Sequence, residues 1–174
     1  VKWNAVNGEY SPTTNANVNA ENIKAFGGIT IGILDYSGEN KFYQTGGWPD
    51  PSFNSGEYDS SKYISLEFAP NTGYNLDLTT FSFECKSEGG SGQKFRVKCS
   101  TDINFSTGVY DLIGETSSSP SDWIFYSGNF PSTLKTVSPN KKMYIRIYAY
   151  HTYNNFQIKI GSIAANGGAT VKGT

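Results

Sequence analysis

"KKMYIRIYAYHTYNNFQIKIGSI", residues 141–163, decides the fold class. Met143, Ile145, Ile147 and Ala149 fall on one side of an extended chain, and Tyr144, Arg146, Tyr148 and Tyr150 on the other. Successive side chains of a strand point to opposite faces, so the pattern predicts a strand with one apolar face. The residues from Asn155 onward read as the start of its partner. The second face is unusual: where small polar residues are the norm, tyrosines flank an arginine.

The same period of two recurs outward from this stretch. "KYISLEF" (62–68) sets Ile64, Leu66 and Phe68 against Tyr63, Ser65 and Glu67. "TTFSFECKSE" (79–88) and "QKFRVKCSTD" (93–102) read as the two arms of a hairpin around a glycine-rich turn, and "GGITIGIL" (27–34), "NKFYQTGGW" (40–48) and "WIFYSGNF" (123–130) as further strands. The only helix candidate, "VNAENIKAF" (18–26), is short and reads as loop or weak helix. Short strands at fairly even spacing, with no internal repeat and no second composition, predict one all-β domain over residues 1–174, an antiparallel β-sandwich.

Composition agrees. The 174 residues suit a single hydrophobic core. Twelve Tyr and eleven Phe against one Met favour strands over helices. Fourteen basic and fifteen acidic residues leave a formal charge of −1, which supplies no positive field for a phosphate backbone and argues against nucleic acid as a partner. No apolar run approaches the roughly 18 residues that a membrane span needs, and "VKWNAVNGEY" lacks the apolar core of a secretory leader.

Cys85 and Cys99 flank "KSEGGSGQKFRVK". A symmetric hairpin about Gly92 places them opposite each other on the apolar faces of their strands. A cross-strand disulfide and a pair of buried thiols both satisfy that placement.

Several stretches in order carry a resemblance: "VKW" at the start, "TGGWP" (45–49), "KYISLEFAPNTGYNLDLTTFSF" (62–83), "VKCSTDINFST" (97–107) and "MYIRIYAY" (143–150). The succession resembles an ancillary β-sandwich module of secreted bacterial polysaccharide-degrading enzymes, particularly pectate-lyase-like proteins of Bacteroidetes type. The resemblance implies a jelly roll with a non-catalytic, carbohydrate-binding role beside an attached catalytic domain, in a secreted or cell-surface protein. It touches Trp48, Asp102 and the strand holding Arg146 and Tyr148.

Candidate ligand contacts follow from residue chemistry. Aromatic rings stack on the apolar faces of pyranoses, and charged groups hydrogen-bond hydroxyls or carboxylates. The preferred site is Arg146 with Tyr148 and Tyr150, joined by Glu84, Arg96 and Lys98 if those strands share a sheet. The competing reading has a loop folded over the tyrosines, or Arg146 paired with Glu84. Trp48, held between glycines and a proline in "TGGWPDP", can present a stacking platform or plug the end of the sandwich. Trp123 opens a strand and serves as a further contact or as core, while Trp3 docks the N-terminal segment. The expected ligand is a plant cell-wall polysaccharide: the tyrosines and amides favour a β-glucan or hemicellulose, whereas the company implied by the resemblance, with the arginines, favours pectin.

Catalysis has little to draw on. His151 is the only histidine, which excludes a zinc site of several histidines, and no nucleophile elbow is present. Asp50, Glu57 and Asp59 share a loop, as acids on loops often do. A small hydrolase or lyase and a structural spacer or docking module are the alternatives. The reading needs no cofactor; fold analogy admits a structural calcium at the oxygen-rich turns "DPSFNSGEYD" or "STDIN". It expects a monomer.

Overall fold

The computed structural model describes residues 1–3, 12–14, 16–34, 42–48, 58–87, 93–150, 156–159 and 169–173. Fifteen strands are described: β1 (Lys2–Trp3), β2 (Pro12–Thr13), β3 (Val18–Ala20), β4 (Lys24–Phe26), β5 (Thr30–Leu34), β6 (Phe42–Gly46), β7 (Tyr63–Pro70) and β8 (Leu76–Ser87). They continue with β9 (Lys94–Ser100), β10 (Tyr110–Ser117), β11 (Ile124–Asn129), β12 (Thr136–Val137), β13 (Met143–Tyr150), β14 (Phe156–Lys159) and β15 (Ala169–Gly173). One 3-10 turn, Ser132–Leu134, is the only helical element among the described residues.

The strands form two antiparallel sheets. The first runs β2-β1-β15-β8-β14-β6-β5, with β11 and β12 also paired to β8. The second runs β10-β9-β13-β7, with β3 and β4 both paired to β7. The antiparallel sandwich expected from the sequence is the fold. Alternation builds its core: Phe81, Phe83 and Cys85 of β8 face Phe95, Val97 and Cys99 of β9, with Ile64, Leu66 and Phe68 of β7 and Met143, Ile145, Ile147 and Ala149 of β13 completing the second sheet's inner face. All are essentially fully buried.

Three expectations are corrected. Residues 18–26 are not a weak helix but two short strands on β7, Val18–Ala20 and Lys24–Phe26, joined by residues 21–23. Segments 79–88 and 93–102 are not arms of one hairpin, because β8 belongs to the first sheet and β9 to the second. Cys85 therefore sits beside Ile124 and Ile158, and Cys99 beside Tyr110 and Ile145, so the cysteines are not cross-strand neighbours. Both thiols are free and buried. Likewise β14 is not the partner of β13; it pairs with β6 and β8 across the core. The physical reason is common to the last two cases. A chain that crosses between sheets buries the same alternating row as one that turns back in a hairpin, so periodicity does not tell beside from across.

One glycine fixes the contact between edges of the two sheets. A Cβ at Gly128 on β11 would overlap the carbonyl oxygen of Leu112 on β10. Only a residue without a side chain lets the two backbones approach that closely.

Candidate functional site

The outer face of the second sheet gathers most of the expected residues. β13 and β9 pair Arg146 with Lys98, Tyr148 with Arg96 and Tyr150 with Lys94. On the other side of β13, Arg146 lies opposite Ser65 of β7, which lies opposite Lys24 of β4. Directly opposite residues of antiparallel strands share a face, so these side chains stand on one surface.

A row of flat groups crosses that surface. Phe26 of β4 stacks on Tyr63 of β7 with centroids 4.7 Å apart and planes 20° from parallel. The Arg146 guanidinium lies 3.9 Å from the Tyr63 ring centre and 4.0 Å from that of Phe105. Nη2 of Arg146 also donates to the carbonyl oxygen of Ile103 at 2.5 Å. Phe26, at 37% exposure, and Ile103, at 56%, leave apolar surface open to solvent at the two ends of this row.

Phe105 and Ile103 reach the face because the β9–β10 loop is wound around one carboxylate. Asp102 accepts from the backbone N–H groups of Asn104, Ser106 and Thr107, at 2.9, 3.0 and 3.1 Å, and from the Ser106 hydroxyl. The Ser106 hydroxyl and then these amides hold the Asp102 carboxyl well below the usual carboxylate range. Ser100 Oγ donates to the Thr107 carbonyl and accepts from the Asp102 N–H, both at 2.9 Å, which closes the loop at its base. Phe105 takes a φ of 54°, a left-handed conformation that a non-glycine residue adopts only under such constraint.

The tyrosine row itself is covered. Tyr148 and Tyr150 are 2% and 1% exposed, and the Tyr58 ring lies 4.6 Å from the first and 6.2 Å from the second. Tyr63 closes the other side of Tyr148 at 5.8 Å. Open tyrosine platforms at 148 and 150 are thus corrected: both rings are packed under neighbouring aromatics, and stacking surface on this face belongs to Phe26. Burial pushes the Tyr148 phenol up, partly offset by Arg146. Burial, reinforced by the Glu115 carboxylate, pushes the Tyr150 phenol to about 12.

Beside Tyr58 lies a cationic stripe. Arg96 and Lys98 sit 4.8 and 5.5 Å from the Tyr58 ring centre. Glu115 of β10 accepts from Lys94 Nζ at 2.7 Å and from the Tyr150 hydroxyl at 2.6 Å, with Arg96 Nη2 at 3.7 Å. Lys98 Nζ is 3.1 Å from Asp111. Four cations, Lys94, Arg96, Lys98 and Arg146, thus stand over two carboxylates on β9, β10 and β13. The opposite edge of the sheet is balanced: Lys24 and Lys142 bridge Glu21 and Glu67, beside an open cavity of about 390 Å³ lined by Asn19, Asn22 and Phe68 among others.

Three expected contacts lie elsewhere. Glu84 is on β8, where it pairs with Phe125 on the outside of the first sheet, so it does not meet Arg146. Trp123 lies immediately before β11 of that same sheet, with Lys86 Nζ 4.9 Å from its ring centre. Trp48 is 7% exposed and joins the core, its indole N–H donating to Thr45 Oγ1 at 2.8 Å; the platform reading is corrected to the plug. Trp3 is fully buried and donates to the Glu21 carbonyl at 2.8 Å, which docks the N-terminal strand. Asp59 caps Ser61. Asp50, Glu57 and His151 lie outside the described residues. Among the described residues no three His, Cys, Asp or Glu side chains cluster.

Sequence reasoning missed Phe26, Tyr58, Tyr63, Phe105 and Glu115. The outward position of Tyr63 was visible in the alternation of 62–68. For Phe105, the available signal was an aspartate followed by Asn, Ser and Thr, the composition of a side-chain-wound turn.

Comparison with solved structures follows from this geometry. The CBM22-1 xylan-binding domain of Xyn10C from Paenibacillus barcinonensis superposes with a TM-score of 0.56 at 10% identity, over 95% of this chain and 90% of that one. A xylan-binding domain from CBM 22 gives 0.53 at 13%, over 87% and 86%. The CBM22-1 and GH10 modules of endo-1,4-beta-D-xylanase 10B from Clostridium thermocellum, complexed with xylohexaose, give 0.55 at 9%, over 87% of this chain and 26% of that one. The likeness is one of fold. No protein-family model matches the sequence, and no curated protein matches it either.

Proposed function

We propose that the chain is a non-catalytic polysaccharide-binding module of a secreted, plant cell-wall-degrading system, and that its binding surface is the outer face of the second sheet. The observation that carries this reading is the row Phe26–Tyr63–Arg146–Phe105. It places accessible ring surface beside guanidinium donors, the pairing that a pyranose with its apolar face and hydroxyl rim requires. Two of the structures that share the fold are xylan-binding domains and a third is complexed with xylohexaose, and hemicellulose is accordingly the first class to test. The module acts by holding an attached catalytic domain near its substrate, which raises effective concentration without chemistry of its own.

The test is native gel retardation in xylan, β-glucan, xyloglucan, mannan and homogalacturonan, with wild type beside Phe26→Ala and Tyr63→Ala. Retardation by at least one polymer, weakened in both folded variants, is expected, and the retarding polymer names the class of the parent enzyme. Retardation unaffected by either variant places binding elsewhere. The covering of Tyr148 and Tyr150 by Tyr58 favours a second reading, a spacer or docking module, which predicts no retardation by any polymer.

A further inference from the structure

We propose that the cationic stripe of β9 forms a carboxylate subsite, and that the polysaccharide taken by this face carries uronic acid. This inference rests on the binding reading above and narrows its ligand class.

The structure shows the subsite holding a carboxylate already. Glu115 sits among Lys94 Nζ, the Tyr150 hydroxyl and Arg96 Nη2. Two hydrogen-bond donors and a guanidinium at ion-pair distance, from two neighbouring strands, surround one anion, as recognition of a carboxylate requires. Tyr150 is buried and Arg96 is only 22% exposed in its side chain, so two of these groups are held by packing. Arg96 Nη2 stands 3.7 Å from Glu115, at ion-pair distance and beyond hydrogen-bond range, so no hydrogen bond commits it to that anion. Glu115, in contrast, stands on β10 at the sheet edge with 37% of its side chain exposed. It can turn to solvent, and an incoming carboxylate then takes its place. Lys98, one step along β9, supplies a second cation beside the first. A neutral chain gains nothing from this stripe, since its hydroxyls cannot compete with Glu115 for the same donors. A uronate exchanges one carboxylate for another and leaves the surplus positive charge of the stripe better compensated.

The experiment uses calorimetric titration of the intact protein with glucuronoxylan and with homogalacturonan, each beside its carboxyl-reduced form. The two polymers distinguish a uronate carried on a branch from one in the backbone. Titrations run at about 10 and about 150 mM salt, over which the screening length falls from about 30 to about 8 Å. The proposal expects at least one acidic polymer to bind several-fold tighter than its reduced form, with the ratio shrinking at the higher salt. Lys94→Gln and Arg96→Gln bring the ratio towards one, and Glu115→Gln raises it. Lys94 is exposed at the strand end, so its variant remains informative if the Arg96 variant does not fold. Equal binding of acidic and reduced polymers overturns the uronate subsite and leaves polysaccharide binding standing. No binding of any of the four polymers overturns the uronate subsite; retardation by β-glucan, xyloglucan or mannan then leaves polysaccharide binding standing, and its absence overturns both.

Discussion

Arg146→Met is the sharpest perturbation of this face, because one guanidinium joins three elements. It lies 3.9 Å from the Tyr63 ring of β7 and 4.0 Å from the Phe105 ring of the β9–β10 loop, and it donates to the Ile103 carbonyl. Each cation–π contact at a partly exposed site contributes about 0.5–1 kcal/mol. A charge-assisted hydrogen bond adds about 1.5 kcal/mol at this exposure. Methionine keeps much of the aliphatic stem, so the loss is about 3 kcal/mol. For a domain of this size that corresponds to a fall in Tm of roughly 6–12 °C. Urea unfolding followed by far-ultraviolet circular dichroism reads the stability, and gel retardation on the same preparation reads binding. The loop is wound on Asp102 independently of Arg146, so the variant folds, with Phe105 released from the face and binding lost. A midpoint within about 0.5 kcal/mol of wild type, with binding intact, would refute the role of Arg146 as the tie between sheet and loop.

Other outcomes follow from particular sites. Tyr150 ionises near 10 in an unfolded chain and at about 12 here, so the unfolded state releases its proton first and stability falls as pH rises from about 10 to about 12. Tyr150→Phe should flatten that limb of a pH–stability curve by up to about 2 kcal/mol. Burial pushes the Cys99 thiol to about 12 and holds Cys85 well above its ordinary value, so neither should react with a thiol reagent near pH 8 until denaturant is added. Fast labelling of the native protein would contradict their burial. Gly128→Ala forces a methyl group into the Leu112 carbonyl and should cost at least about 2 kcal/mol in urea unfolding, whereas Gly114→Ala, with open space at its Cβ, should change stability little.

What the sequence made legible is what alternation encodes. The inward rows of β7, β8, β9 and β13 are the core, residue for residue, and Arg96, Lys98 and Arg146 do stand together on an outer face. What it hid is sheet membership. Glu84 and Arg96 lie on either side of the same glycine-rich turn, yet β8 and β9 lie on opposite sides of the core, and nothing in a period of two distinguishes the cases. Residues 18–26 failed for a different reason. Two three-residue strands interrupted at 21–23 are too short to show any period, although the same long strand, β7, pairs with both, and so Phe26 went unseen.

The covering of the tyrosines is a third kind of failure, and it bears on function. An outward tyrosine on a strand meets solvent, a ligand or a loop, and the strand's own sequence is identical in each case. Here Tyr58 and Phe105 arrive from two separate connections, and each is placed on a cation of the face: Tyr58 on Arg96 and Lys98, Phe105 on Arg146. Rings that merely plugged an apolar patch would have no reason to sit over guanidinium and ammonium groups, whose desolvation opposes burial. The arrangement has a simpler account. Buried Tyr148 and Tyr150 and the loop rings hold the cations of β9 and β13 in fixed positions on a partly exposed surface, four cations over the two carboxylates that β10 supplies. A face rigid in its donors and incomplete in its anions is suited to a chain of hydroxyls and carboxylates. A spacer has no use for that surplus, so binding of any polysaccharide to this face excludes the spacer, and the ratio of acidic to carboxyl-reduced binding then tests whether the surplus serves a uronate.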